Sequence, residues 1–454
     1  MNHSGKQRII ILGAAGAGVS NIAQIYHERG FEVIGVDRQM NAATENLGSK
    51  SIVVYRESEV EKMDLIQADT IVFRSSAIPD TNPWVVKAVE VGARIMGRPD
   101  FFRELSAERR VVAIAGSSGK TSTTGLVAHI FQGHSDAGYL VGIHGNGGHW
   151  GSELPFVLEA DEYAKTFLYL DQMQTALITN LSYDHVDIYP TQVEYDQAFQ
   201  TFATTAQASG GKVVIFGDNE QLREVVKDID HITYGQGLEN DWTCRKVENF
   251  EGGSRFEVWR REVLMAQVEL NIIGGHNIMN ALAAFVVAAE NEIPIQRIVS
   301  QLASFPGLPR RLELLRNDPY FVYDDYAHLP GEIETVLRGV RESFPKRRIL
   351  CYWQPHTFTR ANHFFDQYAE ALRQCDLLFL GDVYAARDEG EFDYVRFLSK
   401  VTAKETFHSK GVESSRELIA EYLKEGDVLI CLNAGTGTQI AHYFAKSHFE
   451  SKDV

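Results

Sequence analysis

Short apolar runs rich in β-branched residues punctuate the chain, and the stretches between them carry helical periodicity. Residues 8–13, 32–37 and 70–74 are the first such runs, and their alternation with helical stretches predicts a parallel sheet with helices on its faces. This block closes near Arg98–Arg110, a charged stretch containing Pro99. The apolar run Val111–Ala115 opens a second block, leading into a glycine loop and a helix over Thr121–Phe131. Further strands are expected at 155–159, 175–181 and 212–216, and alternating segments within 242–272 predict added antiparallel strands. An alanine-rich helix over roughly 277–291 closes the block. Two prolines and a glycine in Phe305-Pro306-Gly307-Leu308-Pro309 mark a linker. Beyond it, strands are expected at 320–324, 348–353, 376–380 and 427–432.

Composition narrows the function class. At 454 residues the chain exceeds a single hydrophobic core and suggests about three domains. A formal charge of -17 argues against a nucleic-acid or anionic-membrane partner, although a few lysines, arginines and backbone N–H groups can still hold small phosphorylated ligands. The four cysteines are scattered, with no C-x-x-C spacing, which predicts small buried side chains in a reducing cytoplasm rather than disulfides or zinc. Arg8–Ala15 has the basic flank and apolar run of a signal peptide, but Asn21, Gln24, His27, Glu28 and Arg29 follow at once. It reads better as a buried first strand, and no run reaches the ~18 apolar residues of a membrane helix, so no membrane insertion is expected.

The segment Gly116-Ser117-Ser118-Gly119-Lys120-Thr121 joins an apolar strand to a helix, an arrangement that cradles polyphosphate. Backbone N–H groups and the helix N-terminus face the anion, Lys120 bridges the outer phosphates and Thr121 can ligate Mg²⁺. Ile114 occupies the position where the general pattern has its first glycine, so these residues alone also fit a strand-to-helix turn with a surface lysine. With Ser122, Thr123 and Thr124 the segment resembles the phosphate loop of the Mur ligase family, usually A-G-T-H-G-K-T-T-T, with Ser117 and Ser118 replacing Thr-His.

Two acidic clusters follow apolar strands: Glu159-Ala160-Asp161-Glu162, and Asn180-Leu181-Ser182-Tyr183-Asp184-His185-Val186-Asp187. Acids at the ends of apolar strands are costly unless they bind cations or donors, and in a parallel sheet both would share the ligand-binding edge with the phosphate loop. Each cluster alone also fits a solvated loop. Both resemble Mur segments, the first that of the alanine-adding ligases and a peptide-recycling relative. By that resemblance Thr121, Glu159 and His185 hold two Mg²⁺ ions, with Asp161, Glu162 and Asp184 around them. Family members that add later residues use a carbamylated lysine past this histidine, whereas Thr191–Ala208 contains no lysine, in agreement with the alanine-adding branch.

Gly274-Gly275-His276-Asn277-Ile278-Met279-Asn280-Ala281 resembles the family's G-x-H-N-x-x-N-A, which implies that His276 and Asn280 contact adenine. Pro309-Arg310-Arg311-Leu312-Glu313 resembles its R-R-F-E, with Arg311 on the nucleotide phosphates. Val322–His328 resembles D-D-Y-A-H-H-P, with Asp325 facing the ribose or closing the domain hinge; Leu329 and Gly331 depart from that pattern. Gln354-Pro355-His356-Thr357-Phe358-Thr359-Arg360 resembles the Q-P-H-x-[FY]-[ST]-R of alanine-adding ligases, making Arg360 a candidate for the substrate carboxylate or the transferred phosphoryl group, with Arg387 a secondary one. Asn433–Gly437 departs from the family's G-A-G-D and is expected only to form a tight loop.

In the first block, Gly13-Ala14-Ala15-Gly16-Ala17-Gly18 follows a strand, and Asp37 ends the next strand about 20 residues on, which taken alone suggests a dinucleotide site. In the resembling ligases the same turn holds the pyrophosphate of UDP, here with Ala15 where they have glycine. Ser75-Ser76-Ala77-Ile78 with Asn82-Pro83 matches their S-S-A-I-x-x-x-N-P. With a phosphate loop downstream, the UDP-sugar set is Gly13, Ala15, Gly16, Gly18, Asp37, Ser75 and Ser76, rather than an NAD site.

The expected fold is α/β in three domains: a Rossmann-like UDP-sugar domain over 1–107, a central P-loop ATPase-like domain with a mixed sheet over 108–307, and a Rossmann-like C-terminal domain over 308–454 that closes. The resemblance implies ATP-dependent ligation of L-alanine to UDP-N-acetylmuramate through an acyl phosphate, in a monomer or homodimer. Lys120, His185, Arg311 and Arg360 are the expected catalytic residues.

Overall fold

A computed structural model describes residues 6–386 and 388–447; Arg387 lies outside the described residues. Three sheets succeed one another along the chain. The first runs Val53–Arg56, Glu32–Asp37, Arg8–Leu12, Ile71–Arg74, Arg94–Met96, and every pairing is parallel. Ile9, Ile10 and Ile11 are all 0% exposed, because helices cover both faces: Val19 and Ile22 pack with Ile9 and Ile11, and Trp84 and Ala88 with Ile10. A continuous apolar run, rather than an alternating one, is what such a doubly covered strand requires. The glycine turn leaves Arg8–Leu12 where the strand order reverses direction, the usual ligand position of an open α/β sheet.

The central sheet has ten strands in the order Val263–Leu270, Gly253–Arg260, Trp242–Phe250, Ile232–Gly235, Lys212–Phe216, Thr175–Ile178, Val111–Ala115, Glu153–Glu159, Ala137–Leu140, Gly148–His149. Val111–Ala115 pairs in parallel with both Thr175–Ile178 and Glu153–Glu159, so the phosphate loop and both acidic segments leave the same sheet edge. The strand expected over 175–181 ends at Ile178. There the Thr179 hydroxyl turns inward and donates to Ala115 and Ser118 carbonyls at 3.2 and 2.6 Å. The sheet is mixed through the antiparallel pair Ala137–Leu140 with Gly148–His149.

The third sheet runs Glu313–Arg316, Phe321–Asp325, Val428–Asn433, Ile349–Gln354, Leu377–Leu380, Glu405–His408, with only the first of these antiparallel to its neighbour. The charged stretch after the first block forms the helix Arg98–Glu108, with Pro99 in its first turn, where the missing N–H leaves nothing unpaired. Packing groups the chain less finely than the sheets do. Residues up to Arg245 with Val258–Ala266 and Asn280–Leu302 form one compact unit, and Lys246–Glu257, Gln267–Met279 and the chain from Ala303 form another. All four cysteines are buried and free. Among the described residues no helix is long and apolar enough to cross a membrane.

Candidate active site

The phosphate loop is shaped by two left-handed glycines. Gly116 has φ +138° and lies against Thr179, and Gly119 has φ +78°, where a Cβ would stand 2.9 Å from the Asn280 side-chain oxygen; other residues adopt neither conformation at low cost. The loop is tied to the segment that follows strand Thr175–Ile178. Ser118 N–H donates to Asn180 Oδ1 (2.9 Å) and Asn180 Nδ2 to Ser118 Oγ (2.8 Å). Ser117 Oγ donates to Ser182 O, accepts from Ser182 N–H, both at 2.7 Å, and lies 3.0 Å from the Tyr195 hydroxyl. Helix Lys120–Gln132 opens immediately, with Ser122 half-buried on its first turn. Thr123 Oγ1 donates to Asn280 Oδ1 at 3.1 Å.

Around Lys120 the charges interlock. Its ammonium lies 2.8 Å from Glu162, whose side chain is fully buried, and donates to Gly116 O at 2.6 Å. His185 Nε2 is 3.3 Å from the same carboxylate. Burial pushes Glu162 up, but the His185 and Lys120 contacts outweigh it and hold the group below its ordinary range, while the Glu162 bond raises His185. Glu159 accepts from the Thr121 hydroxyl (2.8 Å) and from Gly142 N–H (2.6 Å); desolvation raises it in spite of them. His185 holds a left-handed φ of +55°, a strained conformation of the kind that gathers at functional sites. Asp184 Oδ1 accepts its N–H at 2.7 Å. Asp161 pairs instead with Arg98 at 3.1 Å.

In the first domain, Asp37 braces the glycine turn: its carboxylate accepts from Ala15 N–H (2.9 Å) and Gln39 N–H (3.0 Å). Gly13 N–H donates to Val36 O at 2.9 Å and Gly16 N–H to Gly13 O at 3.1 Å. Ser75 abuts Gly13, and Arg98 occupies the space beside Gly18. Ser76 is exposed.

The C-terminal unit carries its own constellation. Arg311 lies between Arg310 and Leu312, both with left-handed φ (+58° and +47°). Asp325, 5% exposed, holds this bend by accepting from Leu312 N–H (2.6 Å) and Ala327 N–H (2.7 Å). Burial, partly countered by Arg311 and those amides, pushes it up to about 6. Both carboxylate oxygens are thus engaged by backbone, so in this structure Asp325 ties the Arg311 bend to its strand end. Arg310 and Arg311 both lie over the Tyr326 ring, at 4.8 and 5.7 Å. Burial, followed by Arg338 and Arg311, lowers His276 to about 4, and its Nδ1 has no hydrogen-bond partner among the described residues. Arg360 Nη1 lies 3.2 Å from His356 Nδ1, and the His356 ring is 5.9 Å from that of His328. Burial lowers both histidines, helped by neighbouring positive charge and opposed at His328 by the Glu332 carboxylate.

Three family descriptions match the chain in order: Mur ligase family, catalytic domain, over residues 8–110; Mur ligase middle domain over 151–288; and Mur ligase, glutamate ligase domain, over 310–435. A UDP-N-acetylmuramate–L-alanine ligase of Roseiflexus castenholzii is 35% identical, across 95% of each chain. This chain belongs to the Mur ligase family. Its fold is similar to that of the UDP-N-acetylmuramate-alanine ligase MurC of Thermotoga maritima, with a TM-score of 0.81 at 23% identity over 97% of this chain and 98% of that one. A murein peptide ligase of Psychrobacter arcticus shares the fold at a TM-score of 0.66 and 21% identity, over 96% of this chain and 98% of that one.

This Mur ligase uses its unusual Ser117-Ser118 pair to fasten the loop, through the bonds to Ser182, Tyr195 and Asn180. Sequence reasoning missed Asn180 and Tyr195 in that role. It also assigned nothing to Asn433, which is fully buried. Asn433 donates to Asp324 Oδ1 (3.1 Å), accepts from Thr438 N–H (3.0 Å), and receives the Arg310 guanidinium on its carbonyl and side-chain oxygens (2.6 and 3.0 Å). No local pattern announces such a hub, because Asp324 and Arg310 lie more than a hundred positions away.

Proposed function

We propose that this chain is an ATP-dependent carboxylate–amine ligase that joins L-alanine to the lactyl carboxylate of UDP-N-acetylmuramate in the cytoplasm, with domain boundaries near 108 and 308. The observation that carries the reading is the phosphate loop with Thr121 hydrogen-bonded to Glu159 and Lys120 held by Glu162. The 35% identity to a UDP-N-acetylmuramate–L-alanine ligase over 95% of both chains supports the choice of substrates. The oxygen donors Thr121 and Glu159 suit a hard divalent cation that keeps waters and phosphate oxygens as its other ligands, and His185 meets Glu162, the partner of Lys120. Two Mg²⁺ ions held there would supply charge neutralisation during phosphoryl transfer.

Lys120, released from Glu162, binds the outer phosphates of ATP, while the loop's N–H groups and the helix start hold their oxygens. The His276 Nδ1, buried and without a hydrogen-bond partner among the described residues, and the Asn280 amide are assigned to the hydrogen-bonding edge of adenine. The γ-phosphoryl passes to the lactyl carboxylate, giving an acyl phosphate and ADP. The alanine amine then attacks the acyl carbon and inorganic phosphate departs with the bonding electrons. Arg311 and Arg360 are fixed cations with forked donors; Arg311 is assigned to the nucleotide phosphates, and Arg360 to the substrate carboxylate or the transferred phosphoryl group. The glycine turn Gly13–Gly18, with Ser75 and Ser76, is assigned to UDP.

Phosphate release tests the reading, with UDP-N-acetylmuramate, Mg²⁺ and ATP, and with alanine, serine, glycine or L-Ala-γ-D-Glu-meso-diaminopimelate offered in turn. Release with alanine is expected. Release only with the peptide would move the chain to the recycling ligases, and release with none of the four would reject the assignment.

A further inference from the structure

Between the glycine turn and the phosphate loop lies a buried contact that no role above explains. Asn21, on helix Ala17–Glu28, is 0% exposed. Its Nδ2 donates to Val141 O (2.9 Å) and Ile143 O (2.7 Å), and its Oδ1 accepts from Gly147 N–H (3.1 Å). Gln24 and Asn46 both donate to Gly145 O, and Lys50 Nζ donates to Gln24 Oε1 at 2.8 Å. Side chains of the first domain thereby satisfy backbone groups of loop 141–147 that belong to no ladder. The loop accepts this only because it is glycine-rich: a Cβ at Gly147 or Gly148 would run into Asn21.

Inside the held loop lies Gly142, whose N–H donates to Glu159 Oε2 at 2.6 Å. A Cβ there would stand 2.9 Å from both Glu159 oxygens. The other carboxylate oxygen takes the Thr121 hydroxyl. We propose that Asn21 is a positioning residue for Glu159: by clamping loop 141–147 it holds the Gly142 N–H that sets the carboxylate's orientation toward the phosphate loop. This rests on the proposed function, in which Glu159 serves the nucleotide-bound cation.

Asn21→Ala and Gly142→Ala test the two ends of this path. The readout is the Mg²⁺ concentration needed for half-maximal binding of a non-hydrolysable ATP analogue, followed by calorimetry, with UDP-N-acetylmuramate binding and thermal midpoint measured alongside. Loss of an outer-shell partner typically weakens metal binding about tenfold or more. The Mg²⁺ midpoint should therefore rise by about that factor in both variants, with UDP-N-acetylmuramate binding within about twofold of the unaltered protein. A folded Asn21→Ala protein with unchanged Mg²⁺ dependence would overturn the proposal, as would loss of both ligands in parallel, which marks a general packing role. Should Asn21→Ala fail to fold, Gly147→Ala decides instead, since its Cβ would run into the Asn21 amide: a raised midpoint supports the path and an unchanged one refutes it. Failure of the unaltered protein to bind nucleotide with Mg²⁺ would instead reject the functional reading itself.

Discussion

Lys120 serves two partners at once, and its neighbours show the consequence. Glu162 is a carboxylate without solvent, compensated by the ammonium 2.8 Å away and by His185. Removing one member of a buried ion pair strands the other at a cost of about 3–5 kcal/mol. Lys120→Ala should therefore lower stability as well as activity, and adding Glu162→Gln should recover much of the stability but none of the phosphate release. Denaturant unfolding of the two proteins checks this; equal stability of the single and double variants would contradict the pairing. Asp325 makes the comparable case in the C-terminal unit. Asp325→Ala leaves the Leu312 and Ala327 N–H groups buried without acceptors, at about 1–3 kcal/mol each. The left-handed bend at Arg310–Leu312 should loosen with them, so a stability loss within experimental error would show that the bend is held by something else.

At the scale of elements, a histidine joins a helix end to a strand start. His149 Nδ1 lies 2.9 Å from Glu28, at the end of helix Ala17–Glu28, and Nε2 lies 2.8 Å from Asp136, just before strand Ala137–Leu140. The Glu28 bond, ahead of Asp136, pushes His149 up to about 9, and Asp136 falls to about 2. Folding favours the charged imidazolium, so its stabilisation is complete below about pH 6.5 and disappears as pH rises through about 9. Side-chain exposures of 31% to 48% keep the effect modest through solvent screening. The thermal midpoint should fall across that window, and His149→Gln should flatten the fall. A variant with the same slope as the unaltered protein would remove His149 from the account. Elsewhere the elements follow local pattern: Val111–Ala115 and Lys212–Phe216 coincide with their expected ranges, since uninterrupted β-branched runs bounded by glycine leave little choice. Val53–Arg56, Arg94–Met96, Glu313–Arg316 and Glu405–His408 escaped expectation. All four are short edge strands of mixed polarity, paired on one side only, so their hydrogen-bonded neighbour rather than their own pattern makes them strands.

For the whole molecule, ligand binding and stability are linked. A ligand that binds only the folded form at a hundred times its dissociation constant stabilises it by about 2.7 kcal/mol. UDP-N-acetylmuramate and a magnesium-bound ATP analogue should each raise the thermal midpoint alone, and Lys120→Ala should abolish the nucleotide shift while sparing the sugar-nucleotide one. Loss of both shifts in that variant would tie the two sites more closely than the separate glycine turn and phosphate loop imply.

Three successive α/β blocks, the strand–glycine turn–helix around Lys120, and the placement of Glu159 and His185 beyond neighbouring strand ends were legible in the sequence, because each depends on residues close together along the chain. Periodicity records which faces are buried, glycine records where the backbone must turn left-handed, and a strand end places its acids at a predictable edge. Tertiary structure alone decided the partners. That Asp37 braces Ala15, that Asp325 holds Leu312, that Asn433 gathers Asp324 and Arg310, and that residues 246–257 and 267–279 pack with the C-terminal unit are all set by contacts between segments distant in sequence. A buried polar side chain must find a partner wherever the fold supplies one, and neither its type nor its immediate neighbours say where that is.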